Sequence, residues 1–124
     1  MDKKVKKILV VDDDRVIGEM LKMLLEFSGF EVFFSENPDK TEENIQNHDI
    51  DLVILDLLIS GVRGTDVCAS LRKNEITAQT PILMMSAIYD AGNLCRAAGA
   101  NDFIAKPFER KDLLNRVDLA LKLN

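Results

Sequence analysis

Apolar residues along the chain follow two alternating rhythms. Short unbroken runs appear at KILVV (Lys7–Val11), EVFFS (Glu31–Ser35), DLVILD (Asp51–Asp56), TPILMMS (Thr80–Ser86) and DFIAK (Asp102–Lys106). Continuous apolar character with polar ends marks strands covered on both faces. Pro81 is tolerable only because it stands at the start of its strand. Between the runs the spacing becomes helical. Val16, Ile17, Met20, Leu21, Leu24 and Phe27 predict an amphipathic helix from Arg15, stopped by SGF at Ser28–Phe30. Asn37–Asn47 predicts a short polar helix begun near Pro38. Val67, Cys68 and Leu71 mark a third helix after the loop SGVRG (Ser60–Gly64), and Ala91–Ala98 a fourth, stopped by Gly99. Leu113, Leu114, Val117, Ala120 and Leu121 line a fifth.

Five strand–helix units predict an α/β fold: a five-stranded parallel sheet, doubly wound, with helices on both faces. The chain has 124 residues, the size of one domain spanning 1–124. Its net charge of -5 disfavours direct binding to nucleic acid, which relies on basic patches. No apolar run reaches the ~20 residues of a membrane span, and MDKKVKK with the short ILVV is no signal peptide. Cys68 and Cys95 fit no metal spacing and read as buried free thiols, so a cytoplasmic location is expected. His48 is expected to face solvent, and Met20, Met23, Met84 and Met85 to serve packing.

The strand ends carry the candidate chemistry. In parallel α/β sheets, ligands gather beyond the carboxyl ends of the strands. Asp12 and Asp13 end the first strand, Asp56 the third, Ser86 the fourth, and Lys106, followed by Pro107, the fifth. Asp14 is expected to cap the first helix instead. If the first and third strands are neighbours, carboxylates meet in one pocket and repel each other unless a cation binds. Oxygen donors favour Mg²⁺, with Mn²⁺ a possible substitute. Carboxylates, a divalent cation, an ammonium and a hydroxyl together suit a phosphoryl group, with Asp56 an acceptable nucleophile. Neither GxxxxGK[ST] nor GxGxxG occurs, so no motif for nucleotide binding accompanies the pocket.

The motifs ILVVDDD, DLVILDLLISG, PILMMSA and ANDFIAKPF, in that order, resemble those of response-regulator receiver domains of the CheY-like superfamily, over essentially the whole chain. The resemblance implies a flavodoxin-like (βα)5 fold with strand order 2-1-3-4-5. It implies that Asp12, Asp13, Asp56 and the backbone carbonyl of Leu58 hold Mg²⁺. Asp56 would accept a phosphoryl group from a histidine of a sensor kinase or a histidine phosphotransfer domain. Ser86 would be the switch hydroxyl, Phe103 the switch aromatic, and Lys106 the phosphate-contacting lysine, joined to Pro107 by a cis bond. Such a protein is no conventional enzyme: it promotes only its own phosphotransfer and dephosphorylation. It acts as a monomer or weak dimer on a downstream protein or output domain not in this chain.

Three departures from the family pattern stand out. Ser60 occupies a position where the family often has proline and is expected to loosen the loop after Asp56. Arg63 replaces a common acidic residue and is expected to place a cation near the pocket. The span from Ser86 to Lys106 looks about two residues short, which abbreviates the fourth helix or the loop before it. Apolar Leu58 and Ile88, near the expected approach of water, predict slow self-dephosphorylation. The rival readings are a degenerate receiver that only binds protein and a small Mg²⁺-dependent, aspartate-based phosphatase. The LKLN ending resembles a domain boundary.

Overall fold

The structure, a computed structural model, describes residues 4–122; Leu123 and Asn124 of the LKLN ending lie outside the described residues. The chain runs β1 (Lys7–Val11), α1 (Arg15–Phe27), β2 (Glu31–Ser35), a single 3-10 turn (Pro38–Lys40), α2 (Thr41–His48) and β3 (Leu52–Asp56). A small antiparallel hairpin (Leu58–Ile59 with Val62–Arg63) leads into α3 (Gly64–Lys73). Then follow β4 (Ile82–Ser86), α4 (Gly92–Ala97), β5 (Asp102–Ala105) and α5 (Arg110–Lys122). The five long strands form one parallel sheet in the order β2-β1-β3-β4-β5, the flavodoxin-like order.

Side chains alternate across a strand, so each strand feeds two cores. Ile8, Val10, Leu52, Ile54, Leu83, Met85 and Ile104 pack under Leu21 and Leu25 of α1 and Leu113 and Val117 of α5. Leu9, Val11, Val53, Leu55 and Met84 face the other way, onto Ile45 of α2, Cys68 and Leu71 of α3 and Cys95 of α4. Each fully buried aliphatic side chain contributes about 1.5–3 kcal/mol. Two-sided burial is why these strands carry almost no polar residue until their carboxyl ends. No helix of the described residues is long and apolar enough to cross a membrane.

Helix α1 begins where Asp14 Oδ1 accepts the backbone N–H groups of Val16 (3.0 Å) and Ile17 (3.2 Å). Its buried face matches the predicted one only in part: Leu21 is buried and Ile17 and Leu24 pack against the core, as predicted. Gly18, Leu21 and Leu25 turn inward, while Val16, Met20, Met23 and Phe27 stand out to solvent, with Phe27 81% exposed. The helix carries two adjacent apolar stripes, and helical period alone cannot choose between them. Gly18 decides: a side chain there would run into the Phe34 ring, so this face lies closest to the sheet. The expected packing role therefore holds for Met84 and Met85 but not for Met20 and Met23. His48 is not solvent-facing either; it is half-buried and stacked on Phe33, with ring centroids 4.1 Å apart. Cys68 and Cys95 are buried free thiols.

Arg72 closes the opposite edge of the sheet from the acidic strand ends. Its guanidinium donates to the carbonyls of Gly99 (2.8 Å), Ala78 (3.1 Å) and Thr80 (2.7 Å) and to Asn101 Oδ1 (2.9 Å). Asn101 Oδ1 also accepts the N–H of Ile82, the first residue of β4 (2.8 Å).

Gly64 sits where α3 begins, directly beneath Asp56. A Cβ at this position would collide with the Asp56 backbone carbonyl and the Met84 methyl. Gly64→Ala is therefore expected to lower stability by about 1–3 kcal/mol, the usual range for overpacking. A urea midpoint unchanged from wild type would contradict this.

Candidate functional site

Strand register assembles the site. β1 and β3 pair with Val11 opposite Leu55, so the residues that follow, Asp12 and Asp56, leave the sheet side by side. Asp12 is 1% exposed. Its Oδ1 accepts the Asp14 N–H at 2.9 Å, and its Oδ2 lies 3.3 Å from Lys106 Nζ. The Asp56 side chain is 13% exposed, with Oδ1 3.1 Å from the same ammonium. Lys106 follows β5; its backbone N–H donates to the Ser86 carbonyl at 2.7 Å, and its bond to Pro107 is cis. Asp13 is exposed, yet its carboxylate stays within reach: Asp12, Asp13 and Asp56 each offer an oxygen within 4.8 Å of the others.

The electrostatics follow from this crowding. Burial, reinforced by the charge of Asp12, pushes the Asp56 carboxyl above its ordinary value, against the opposing pull of Lys106. Burial also opposes charge on Lys106, but Asp56 and Asp12 together outweigh it and hold the ammonium above its ordinary value. The Ser60 backbone N–H holds the Asp13 carboxyl below the usual range. Three carboxylates against one ammonium leave a net deficit of positive charge. An all-oxygen donor set of this kind fits a small hard cation such as Mg²⁺.

The remaining predicted residues surround this cluster. Ser86 is buried at the end of β4, and its Oγ accepts the Ile88 N–H at 2.9 Å. Phe103 is buried in the core, its ring beside Gly92 of α4. Leu58 opens the small hairpin, its side chain exposed. Ser60 does not loosen the loop: it forms the hairpin turn with Gly61, and its N–H and Oγ donate to Asp13 Oδ2 at 2.7 and 3.2 Å. Nothing in residue type announced that contact, although an SG pair between Ile59 and Val62 is a turn signal. Arg63 is exposed, and among the described residues no ion pair joins it to the carboxylates; it lines an apolar groove with Leu58, Ile88 and Leu94. Helix α4 covers only six residues, in keeping with the short span before Lys106. On the other side of Lys106 a second apolar groove is lined by Ile17, Met20, Ala87, Pro107 and Phe108.

Residues 8–118 match the family model described as the response regulator receiver domain. Among curated proteins, the chain is 34% identical over 119 residues to the phosphate regulon transcriptional regulatory protein PhoB of Pseudomonas aeruginosa, covering 94% of this chain and 52% of that protein. It is 36% identical over 126 residues to the DNA-binding response regulator MtrA of Mycobacterium tuberculosis, covering 100% of this chain and 54% of that protein. The chain thus spans about half the length of these curated relatives. Among solved structures, the BeF3-activated N-terminal receiver domain of Klebsiella pneumoniae RstA superposes with a TM-score of 0.87 at 30% identity, covering 94% of this chain and 99% of that one.

The raised proton affinity of Asp56 has a consequence for stability. Folding strengthens its hold on the proton, so above the ordinary value of 3.8 the ionised carboxylate destabilises the folded state. Below 3.8 both folded and unfolded chains carry the proton, and the penalty vanishes. Without divalent cation, D56N is expected to show a higher urea midpoint than wild type at neutral pH. The gap should close as the pH falls towards and below that value. Equal midpoints at neutral pH would show that Lys106 fully compensates the carboxylate.

Proposed function

Since the chain belongs to the response regulator receiver domain family, we propose that residues 1–124 form one receiver domain that signals through phosphorylation of Asp56. The observation that carries this reading is the convergence of Asp12 Oδ2 and Asp56 Oδ1 on one ammonium, Lys106 Nζ, at 3.3 and 3.1 Å. In this reading Lys106 would balance charge on a phosphoryl group joined to Asp56.

In this reading an Asp56 carboxylate oxygen attacks the phosphorus of a phosphohistidine on a sensor kinase or phosphotransfer domain. The P–N bond breaks as the new P–O bond forms. The electron pair stays on the imidazole nitrogen, which can take up a proton. Asp12, Asp13, Asp56 and the backbone carbonyl of Leu58 are the residues that would hold Mg²⁺, which when bound neutralises charge on the transferring oxygens. Hydrolysis reverses the modification: water attacks the phosphorus, inorganic phosphate leaves, and the carboxylate is restored. The chain promotes these steps only on itself.

Ser86 and Lys106 would then read the new group. The Ser86 hydroxyl proton can donate to a phosphoryl oxygen, drawing in the loop that runs through Ile88 to α4. Phe103, packed beside Gly92, is the aromatic through which a shift of that loop reaches the surface. The phosphoryl group biases two packings only through contacts it makes better in one of them. The output would be a domain or partner protein outside this chain, in the cytoplasm.

For the donor, the favoured docking surface is the apolar stripe Val16, Met20, Met23 and Phe27 together with the groove beside Lys106. An amphipathic helix lays its apolar face into such a groove, and this one adjoins the pocket.

Intact mass after incubation with acetyl phosphate and Mg²⁺ tests the acceptor. One phosphoryl adduct is expected on wild type and none on D56N; labelling of D56N to the same extent would refute the assignment. With exposed apolar Leu58 and Ile88 beside the pocket, the adduct should outlast minutes, and decay within seconds would refute that part. Met20→Glu is expected to slow transfer from a phosphorylated histidine phosphotransfer domain about tenfold, the loss typical of an interface anchor. Labelling by acetyl phosphate should stay unchanged. Equal slowing with both donors would place Met20 in the pocket chemistry instead of docking.

A further inference from the structure

Asp13 poses a physical problem that the rest of the pocket does not. Asp12 is buried and hydrogen-bonded, and Asp56 is held by Lys106. Asp13 is exposed and faces two like charges. Within its own segment its backbone N–H and the Asp12 side chain hold its carboxylate less than Ser60 does. The firmer hold comes from 47 residues further along the chain: the N–H of Ser60 at 2.7 Å and the Ser60 hydroxyl at 3.2 Å, both on Oδ2.

That contact requires an unusual backbone. Ser60 has φ 49° and Gly61 φ 81°, both left-handed, the pattern of a tight two-residue hairpin turn between Ile59 and Val62. This conformation directs the Ser60 N–H out of the hairpin towards Asp13. Proline could not do the same: its φ is locked near -65° and it has no N–H. Ser60 has both the N–H and the backbone conformation, and with them it clamps a carboxylate.

We infer that Ser60 is a positioning residue for divalent-cation binding: its backbone N–H fixes Asp13 through Oδ2 and leaves Oδ1 free to serve as a ligand. The inference rests on the reading of the acidic cluster as a cation site. It extends that reading to a residue whose side chain need not touch the cation at all. The clamp also ties the loop after Asp56 to the loop after β1, so the hairpin and Asp13 move together. Partners of this kind, which orient a ligand without contacting the metal, typically change affinity by 10–100-fold when removed.

The test is calorimetric titration of the whole chain with Mg²⁺ alone, on wild type, S60P, S60G and S60N. Glycine and asparagine keep the N–H and tolerate a left-handed φ, so S60G and S60N are expected to bind within about threefold of wild type, while S60P binds about tenfold more weakly. A general loss of structure would instead weaken every variant in step with its urea midpoint. Wild-type binding with S60P unchanged would overturn this inference and leave the cation site intact. Absence of binding by wild type would overturn both. Should S60P fail to fold, the amide proton resonance of Ser60 decides. It is expected to move upfield in D13A as the carboxylate acceptor is lost, and an unmoved resonance would show that the clamp does not exist in solution.

Discussion

Parallel pairing of β1 with β3 is the constraint on which the rest of the structure depends. It sets Val11 opposite Leu55 and so delivers Asp12 and Asp56 to the same point on the sheet rim. The two strands are buried on both faces and cannot slip without exposing their apolar side chains. Repulsion between the carboxylates therefore cannot be relieved by moving the strands apart. Within the chain it is relieved by Lys106, which follows β5 and reaches both carboxylates. The pocket is a place where folding energy from two hydrophobic cores holds an unfavourable charge arrangement ready for a ligand.

The same geometry links the rim to the loop before α4. Ser86 ends β4, Lys106 follows the adjacent β5, and the two are joined through the main chain by the Lys106 N–H. The Ser86 hydroxyl is also bonded to the loop leading to α4, through Ile88. Ser86 at the rim is thus one hydrogen bond from the loop that leads to α4. Phe103 and Gly92 lie against each other at the far side of that loop. Because α4 is only six residues long, few intrahelical bonds oppose a shift of its first turn.

Much of this was legible in the chain before any coordinates. All five strands lie in the predicted runs, because burial on both faces leaves an unbroken apolar signature. The polar residues at the strand ends were conspicuous for the same reason. Orientation was less legible. Val16, Met20 and Phe27 have helical spacing as good as that of Leu21 and Leu25, and only the close approach permitted by Gly18 selects one stripe over the other. His48 could not be placed because its partner, Phe33, lies on another element. Ser60 was misread for a deeper reason. Its contact is made by a backbone N–H in a positive-φ conformation, which a serine permits but does not announce. The SG pair announced a turn, but the carboxylate it meets belongs to a loop brought near only by the completed sheet.

The Arg72 cluster has its own consequence. It ties the turn before β5, through Gly99 and Asn101, to the approach to β4, through Ala78, Thr80 and Ile82. Both strands are thus moored at their amino ends, while their carboxyl ends carry Ser86 and Lys106. A beam clamped at one end deflects at the other. The amino ends are thus tied by side-chain hydrogen bonds, and the freedom that remains lies in the segments beyond the carboxyl ends.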